Sequence, residues 1–220
     1  MPVNKTQPRI LLTGFDPFGG ETINPSWEAV RALHGRRVGG HLVVARQLPT
    51  EFATSLRLLK AAMRELKPAI VLGVGQAGGR TQLSLERVAI NLQDARIPDN
   101  AGAQPIDEPV IAGAPAAYFS TLPLKTMLAA LRDAGLPADI SHSAGTYVCN
   151  HIAYAMLHLA AARRGVRAGF IHIPYLPAQA AHLRGAASMA QADVERGLLV
   201  ALRTAATTIV DRKLSGGSLD

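Results

Sequence analysis

The stretch RILLTGFDPFGGETINPSWEAVRAL, residues 9–33, passes from an apolar run through a loop of proline and glycine into an amphipathic segment. An apolar run such as Ile10–Leu12, closed by Gly14, reads as a strand buried on both faces, as strands of a parallel sheet are. Asn24 is placed to cap a helix that opens at Pro25, whose fixed φ and missing N–H suit the first helical position. The same alternation then repeats. HLVVARQLP (41–49) predicts a second strand, and Thr50 is the expected cap of a helix in EFATSLRLLKAAMREL (51–66). PAIVLGVG (68–75) predicts a third strand, and the order βαβαβ implies an α/β domain around a central, mostly parallel sheet.

Farther along, ERVAINL (86–92) alternates as a short strand and leads into an irregular excursion rich in proline, glycine and alanine. Long irregular segments inside a compact domain are usually functional loops or interfaces. TLPLKTMLAALRDAG (121–135) predicts a helix stopped by Gly135, and ADISHS (138–143) a strand. YVCNHIAYAMLHLAAARRG (147–165) predicts a helix, RAGFIHIPYLP (167–177) the last strand, and SMAQADVERGLLVALRTAATTIV (188–210) a long terminal helix. DRKLSGGSLD (211–220) reads as a frayed tail. No repeat or linker divides the chain, so residues 1–220 are expected to form one domain.

Composition narrows the function classes. With 48% hydrophobic and 18% charged residues the chain is globular, not disordered. A single cysteine excludes an internal disulfide, MPVNKTQPRI (1–10) is no signal peptide, and no apolar run is long enough for a membrane span. A cytoplasmic location is expected. The net charge of +7 raises the question of a nucleic-acid partner. Yet the adjacent arginine pairs are only Arg36–Arg37 and Arg163–Arg164, and neither aromatic platforms nor zinc-finger spacing accompany them. The expectation is therefore a basic solvated surface, with neither nucleic acid nor membrane as partner. Without HExxH or a Cys/His cluster, no metal is expected either.

The chemistry-bearing candidate is AGTYVCNH (144–151), which places the lone Cys149 where a small-residue turn gives way to a helix. Unpaired N–H groups and the positive end of the dipole there favour a thiolate and can receive an oxyanion. The competing reading is a buried, inert cysteine. A cysteine nucleophile needs a base and a group that orients the base. His172 and then His142, both at strand ends, are the candidate bases, because open α/β sheets bind ligands beyond the carboxyl ends of their strands. Glu86, Asp94 and Asp99 are equal candidates for the third group. GVGQAGG (73–79) lacks the Lys-Ser/Thr of a phosphate loop and reads as a backbone-dense pocket wall. Phe15, Phe18 and Trp27 are either core or pocket residues.

Taken together, LLTGFDPFGG and NPS, GGR, ERVAINLQDARIPDN, QPIDEP, AAYFSTLP, AGTYVCNH and FIHIPYLP occur in an order that resembles the pyroglutamyl-peptidase I family. These are cysteine peptidases that remove an N-terminal pyroglutamyl residue. The resemblance implies a single-domain α/β/α sandwich with a central twisted, mixed but mostly parallel sheet, no cofactor, and assembly as a homotetramer. It implies Glu86, Cys149 and His172 as the catalytic set, acting through a thioester. It also gives substrate-pocket roles to Phe15, Phe18, Gln76 and Tyr147, a supporting role to Asn24, and a place beside the nucleophile to Arg96. Position 147 is commonly phenylalanine in the relatives, so the tyrosine hydroxyl here needs a partner or solvent. The rival readings are a phosphate-using transferase on a related sheet and a non-catalytic binding module.

Overall fold

The structure, a computed structural model, describes residues 7–217. The strands are β1 (Arg9–Phe15), β2 (Arg37–Val38), β3 (His41–Leu48), β4 (Ile70–Gln76), β5 (Leu83–Glu86), β6 (Val88–Ile90), β7 (Ala117–Phe119), β8 (Ala138–Ser141) and β9 (Arg167–Ile173). The helices are α1 (Pro25–Ala32), α2 (Phe52–Leu66), α3 (Leu124–Asp133), α4 (Val148–Ala161), α5 (Pro177–Ala180) and α6 (Gln191–Thr207). Seven strands form one sheet in the order β2-β3-β1-β4-β9-β5-β8, while β6 and β7 pair separately. β3, β1, β4 and β9 run parallel, β5 turns antiparallel against β9, and β8 is parallel to β5. The expected mixed, mostly parallel α/β/α arrangement is therefore present.

Alternation along the strands builds the two outer layers. Ile10 and Leu12 of β1 join one apolar cluster with α1, α3 and α6, while Leu11 joins the other with α2 and α4. α4 is buried nearly all round, because the sheet, α2 and the β6–β7 pair all pack against it. Asn24 caps α1 as expected: its Oδ1 accepts from the Ser26 N–H at 3.0 Å.

Five local expectations change. The cap position of α2 is Glu51, not Thr50, and its side chain makes no capping bond. Thr50 is turned away: its N–H donates to Asp16 Oδ1 at 2.6 Å and its hydroxyl to Asp16 O at 3.2 Å. The helix end is instead met from across the chain, where the Phe52 N–H donates to Asp99 Oδ2 at 2.8 Å. The segment ERVAINL does not form one strand, since β5 ends at Glu86 in the main sheet and β6 pairs with β7. The terminal helix is shorter than 188–210, and the last strand ends at Ile173, short of 177, where α5 begins. The tail is fastened at its first residue: Asp211 accepts from the Lys125 and Thr126 N–H groups at 2.9 and 2.8 Å, capping α3. Residues 218–220 of that tail lie outside the described residues. Among the described residues, no helix is long and apolar enough to cross a membrane.

Candidate active site

Strand register assembles the centre of the site. His172 of β9 is paired with Gly75 of β4 on one side and with Ser84 of β5 on the other. Paired residues project to one face, and Glu86, two positions along β5, projects to that face too. It stands diagonal to His172, within reach of a long side chain. Glu86 Oε1 and His172 Nδ1 are 2.7 Å apart, and both residues are nearly fully buried, at 3% and 4% exposure. Arg80, which the sequence reading did not single out, donates from Nη2 to Glu86 Oε1 at 3.5 Å, to Ser141 Oγ at 3.2 Å and to Ser143 O at 3.1 Å. Glu86 Oε2 is buried and has no partner among the described residues.

On the other flank of His172, Gly75 leaves the space that Cys149 fills. A Cβ built at Gly75 would stand 2.7 Å from Cys149 Sγ. Cys149 is the second residue of α4, whose cap residue Tyr147 offers no side-chain bond. The first helix N–H to find a carbonyl is that of His151, on Tyr147 O at 3.1 Å. The N–H groups of Val148, Cys149 and Asn150 therefore project from the helix end beside the sulfur.

The electrostatics follow from this packing. Burial by itself lowers the His172 pKa, but the neighbouring Cys149 and Glu86, each a hydrogen-bonding partner and a negative charge, outweigh it and raise it to about 9. With Nδ1 committed to Glu86, Nε2 is the nitrogen available to the thiol. The arrangement can hold a thiolate against an imidazolium, aim that thiolate at a carbonyl, and return a proton to a leaving group. Among the described residues, no group of three or more His, Cys, Asp or Glu side chains is disposed to hold a metal ion.

A tight cleft opens onto Cys149. Phe15, Phe18, Asn24, Thr50, Gln76, Tyr147 and Val148 line it with the cysteine. The rings of Phe18 and Tyr147 are 6.3 Å apart, and Phe52 stands edge-on behind Tyr147 at 5.5 Å. The Tyr147 hydroxyl donates to Pro98 O at 3.0 Å. Burial, with the charges of Asp99 and Cys149 adding to it, pushes the phenol up to about 12, so it stays protonated and the ring stays fixed. Asn24 braces the cleft: its Nδ2 donates to Asp16 O at 2.8 Å, and its Oδ1 accepts from the Ser26 hydroxyl at 2.8 Å.

Several residues raised by the sequence do not line the cleft. His142 and Asp94 are exposed, and Asp99 serves the N-terminus of α2. Arg96 is exposed, is not among the residues lining the cleft, and makes no ion pair among the described residues. Asn150 was missed. Fully buried, it accepts from the Ile90 N–H at 3.0 Å and donates to Ile90 O and Leu92 O, tying the excursion to α4. An amide within so apolar a helix was the available signal. His151 is buried edge-on to Phe52, and burial pushes its pKa down to about 4, which leaves it a neutral packing residue.

A family model described as pyroglutamyl peptidase matches residues 8–208. A pyrrolidone-carboxylate peptidase of Cupriavidus pinatubonensis is 58% identical over 212 residues, covering 96% of this chain and 98% of the relative. One from Klebsiella pneumoniae is 56% identical over 209 residues, covering 95% and 98%. The crystal structure of pyroglutamyl peptidase I from Bacillus amyloliquefaciens superposes with a TM-score of 0.92 at 45% identity, covering 96% of this chain and all of that one. A mutant pyrrolidone carboxyl peptidase from Pyrococcus furiosus superposes with a TM-score of 0.86 at 42% identity, covering 90% and 97%.

Proposed function

The chain belongs to the pyroglutamyl peptidase family, and we propose that Cys149, His172 and Glu86 perform its reaction. It is a cysteine-type peptidase that removes the N-terminal pyroglutamyl residue of peptides. The observation that carries the residue assignment is the buried Glu86–His172 pair beside a sulfur that opens onto a tight, mostly apolar cleft.

His172 holds the proton of Cys149, and Glu86 keeps the imidazole oriented and supports its charge. The thiolate attacks the carbonyl carbon between pyroglutamate and the next residue. The resulting oxyanion is met by N–H groups at the start of α4. His172 then gives its proton to the leaving amine as the C–N bond breaks, leaving a thioester. Water, deprotonated by His172, attacks that thioester, and free pyroglutamate departs as the thiol is restored.

Phe15, Phe18 and Tyr147 form the walls that receive the lactam ring, with Gln76 supplying a polar contact and Asn24 holding the wall in place. Arg96 is assigned a place at the outer approach to the nucleophile, in keeping with its exposure. A free ammonium in this cleft would lose its hydration without compensation, at a cost of several kcal/mol. A pyroglutamyl amide with a fluorescent leaving group should therefore be hydrolysed at least about 100-fold faster than the matching glutaminyl and glutamyl amides. Similar rates on all three would overturn the cleft assignment.

The tight fit at Gly75 yields a second expectation. The Cβ of Gly75→Ala would displace Cys149 Sγ and crowd the Phe170 ring, 2.9 Å away. Misplacing a reacting atom by about 1 Å costs on the order of 100-fold in rate. kcat/KM for the pyroglutamyl amide should fall by that order in a variant that still melts cooperatively; full activity would remove the close approach from the account.

The same reading extends to assembly and location. Exposed Ile106 and Phe119, on the excursion from β5 to α3, support assembly into the family's homotetramer. The unpaired Cys149 suits the reducing cytoplasm.

A further inference from the structure

We infer that Gln179, outside the catalytic centre, is a positioning residue that decides which end of the Gln76 amide faces the substrate. The inference rests on the reading of the cleft as the pyroglutamyl pocket. Gln179 belongs to the short helix α5 that follows β9, and it is buried at 5% exposure. It joins three parts of the wall: its own segment, the end of β4, and the loop after β1.

An amide cannot be read from its shape alone, because its oxygen and nitrogen ends look alike; its partners assign it. Here the assignment runs in one direction. The Leu176 N–H can only donate, and it reaches the side chain of Gln179 at 3.1 Å, so the oxygen of Gln179 is at that end. The NH2 group of Gln179 therefore points the other way, where it donates to Glu21 Oε2 at 3.3 Å. A carboxylate can only accept, which agrees with that orientation. The same NH2 group meets Gln76 at 3.2 Å, so the Gln76 atom facing it must be Oε1. The donor end of Gln76 is left with no protein partner among the described residues, in a residue that lines the cleft. Two groups of fixed polarity, a backbone N–H and a carboxylate, thus fix a hydrogen-bond donor at the cleft wall through a chain of two glutamines.

A donor there suits the acceptor end of the lactam. The ring carbonyl of pyroglutamate is an acceptor, and prolyl or other saturated rings lack it. Glu21 belongs to the loop that carries Phe18, so the bridge also ties an aromatic wall to the polar contact. Nearby, Tyr175 closes over Gly78, where a built Cβ would stand 2.3 Å from its hydroxyl oxygen. The turn that follows Gln76 is thus packed from the same segment.

Gln179→Glu tests the polarity without removing volume. The carboxylate it introduces can still accept from the Leu176 N–H, but toward Gln76 and Glu21 it offers only acceptors. Gln76 then gains by turning its NH2 group to that carboxylate, which presents Oε1 to the lactam carbonyl. Two acceptors face each other, and KM for a pyroglutamyl amide should rise by at least about tenfold with kcat changed less than about threefold. Inhibition by 2-pyrrolidone, which carries the lactam alone, should weaken in parallel. Gln179→Ala, which frees the amide without inverting it, should show a smaller rise in KM. The rate of Cys149 alkylation and the melting temperature report whether the centre and the fold are intact. A Gln179→Glu protein with wild-type KM and pyrrolidone inhibition overturns the inference, as does one in which kcat and alkylation fall while KM holds. Failure of the wild-type chain to cleave pyroglutamyl amides would instead count against the function itself.

Discussion

Replacing Cys149 by serine should reduce kcat on a pyroglutamyl amide by roughly a thousandfold or more while KM changes little. The walls of the cleft, Phe15, Phe18 and Tyr147, do not depend on the sulfur for their positions: Tyr147 is held by Pro98 O and Phe52, and Phe15 packs on Phe170. Oγ is smaller than Sγ, so the space that Gly75 leaves still accommodates it. Only the nucleophile changes. A thiol is partly ionised near neutrality and intrinsically nucleophilic, whereas an alcohol needs its proton removed in the transition state by a base matched to that task. The histidine supplies a second readout. Burial lowers the His172 pKa, and in the native chain Cys149 and Glu86 together overcome that effect. With the thiolate gone, Glu86 opposes burial alone, and the pKa should fall from about 9. Ring NMR shifts followed over pH measure this directly. Turnover unaffected by the substitution would remove Cys149 from the mechanism, and an unmoved histidine titration would separate it from His172.

What the sequence disclosed and what it withheld divide by physical range. The strands containing Ile10–Leu12 and Val71–Val74 were legible because burial on both faces writes a continuous apolar run. The Asn24 cap was legible because its partner, Ser26, is two residues away. Thr50 looked like an equally good cap, yet its hydroxyl is taken by Asp16 O, and the real acceptor for the Phe52 N–H is Asp99, 47 residues on. No local pattern announces such a bond. α5 escaped notice for a related reason. It spans four residues and opens at Pro177, too short to show a period.

The site shows the same division. Position alone offered Cys149 as a nucleophile, but it left His142 beside His172 and could not separate Glu86 from Asp94 and Asp99. Resemblance to a family named one set. The register that pairs His172 with Gly75 and Ser84, and so brings Glu86 within 2.7 Å, is a property of strand order, which single-strand patterns do not encode. Arg96 rests on resemblance alone: it is exposed and does not line the cleft, and no local pattern singles it out among the arginines of the chain.

Changing Glu86 to glutamine should lower kcat by between about a hundredfold and ten thousandfold, and the pH dependence should show why. Glu86 is buried at 3% exposure, so its charge acts on His172 with little screening by solvent. A glutamine of the same shape can still meet Nδ1. It supports the imidazolium far less, and when its NH2 end faces Nδ1 it selects the tautomer with the proton on Nε2, which cannot accept one from the thiol. In the native chain the alkaline limb of kcat/KM should report His172 losing its proton, at about 9. Loss of the carboxylate removes one of the influences that raise this value, so the limb should move toward lower pH. Stability carries the same signature. Folded His172 keeps its proton to about pH 9, whereas an unfolded histidine releases it near 6.5. The stabilisation from this group is therefore complete below about pH 6.5 and is lost as pH rises through 9. In Glu86→Gln the decline between those values should flatten, as denaturant melts at a series of pH values would show. The acidic side offers the contrast, since a group already protonated in both states contributes no slope there. If the alkaline limb stays in place while kcat falls, Glu86 acts through geometry alone. If both hold at native values, the Glu86–His172 bond is structural and the imidazole draws its support from elsewhere.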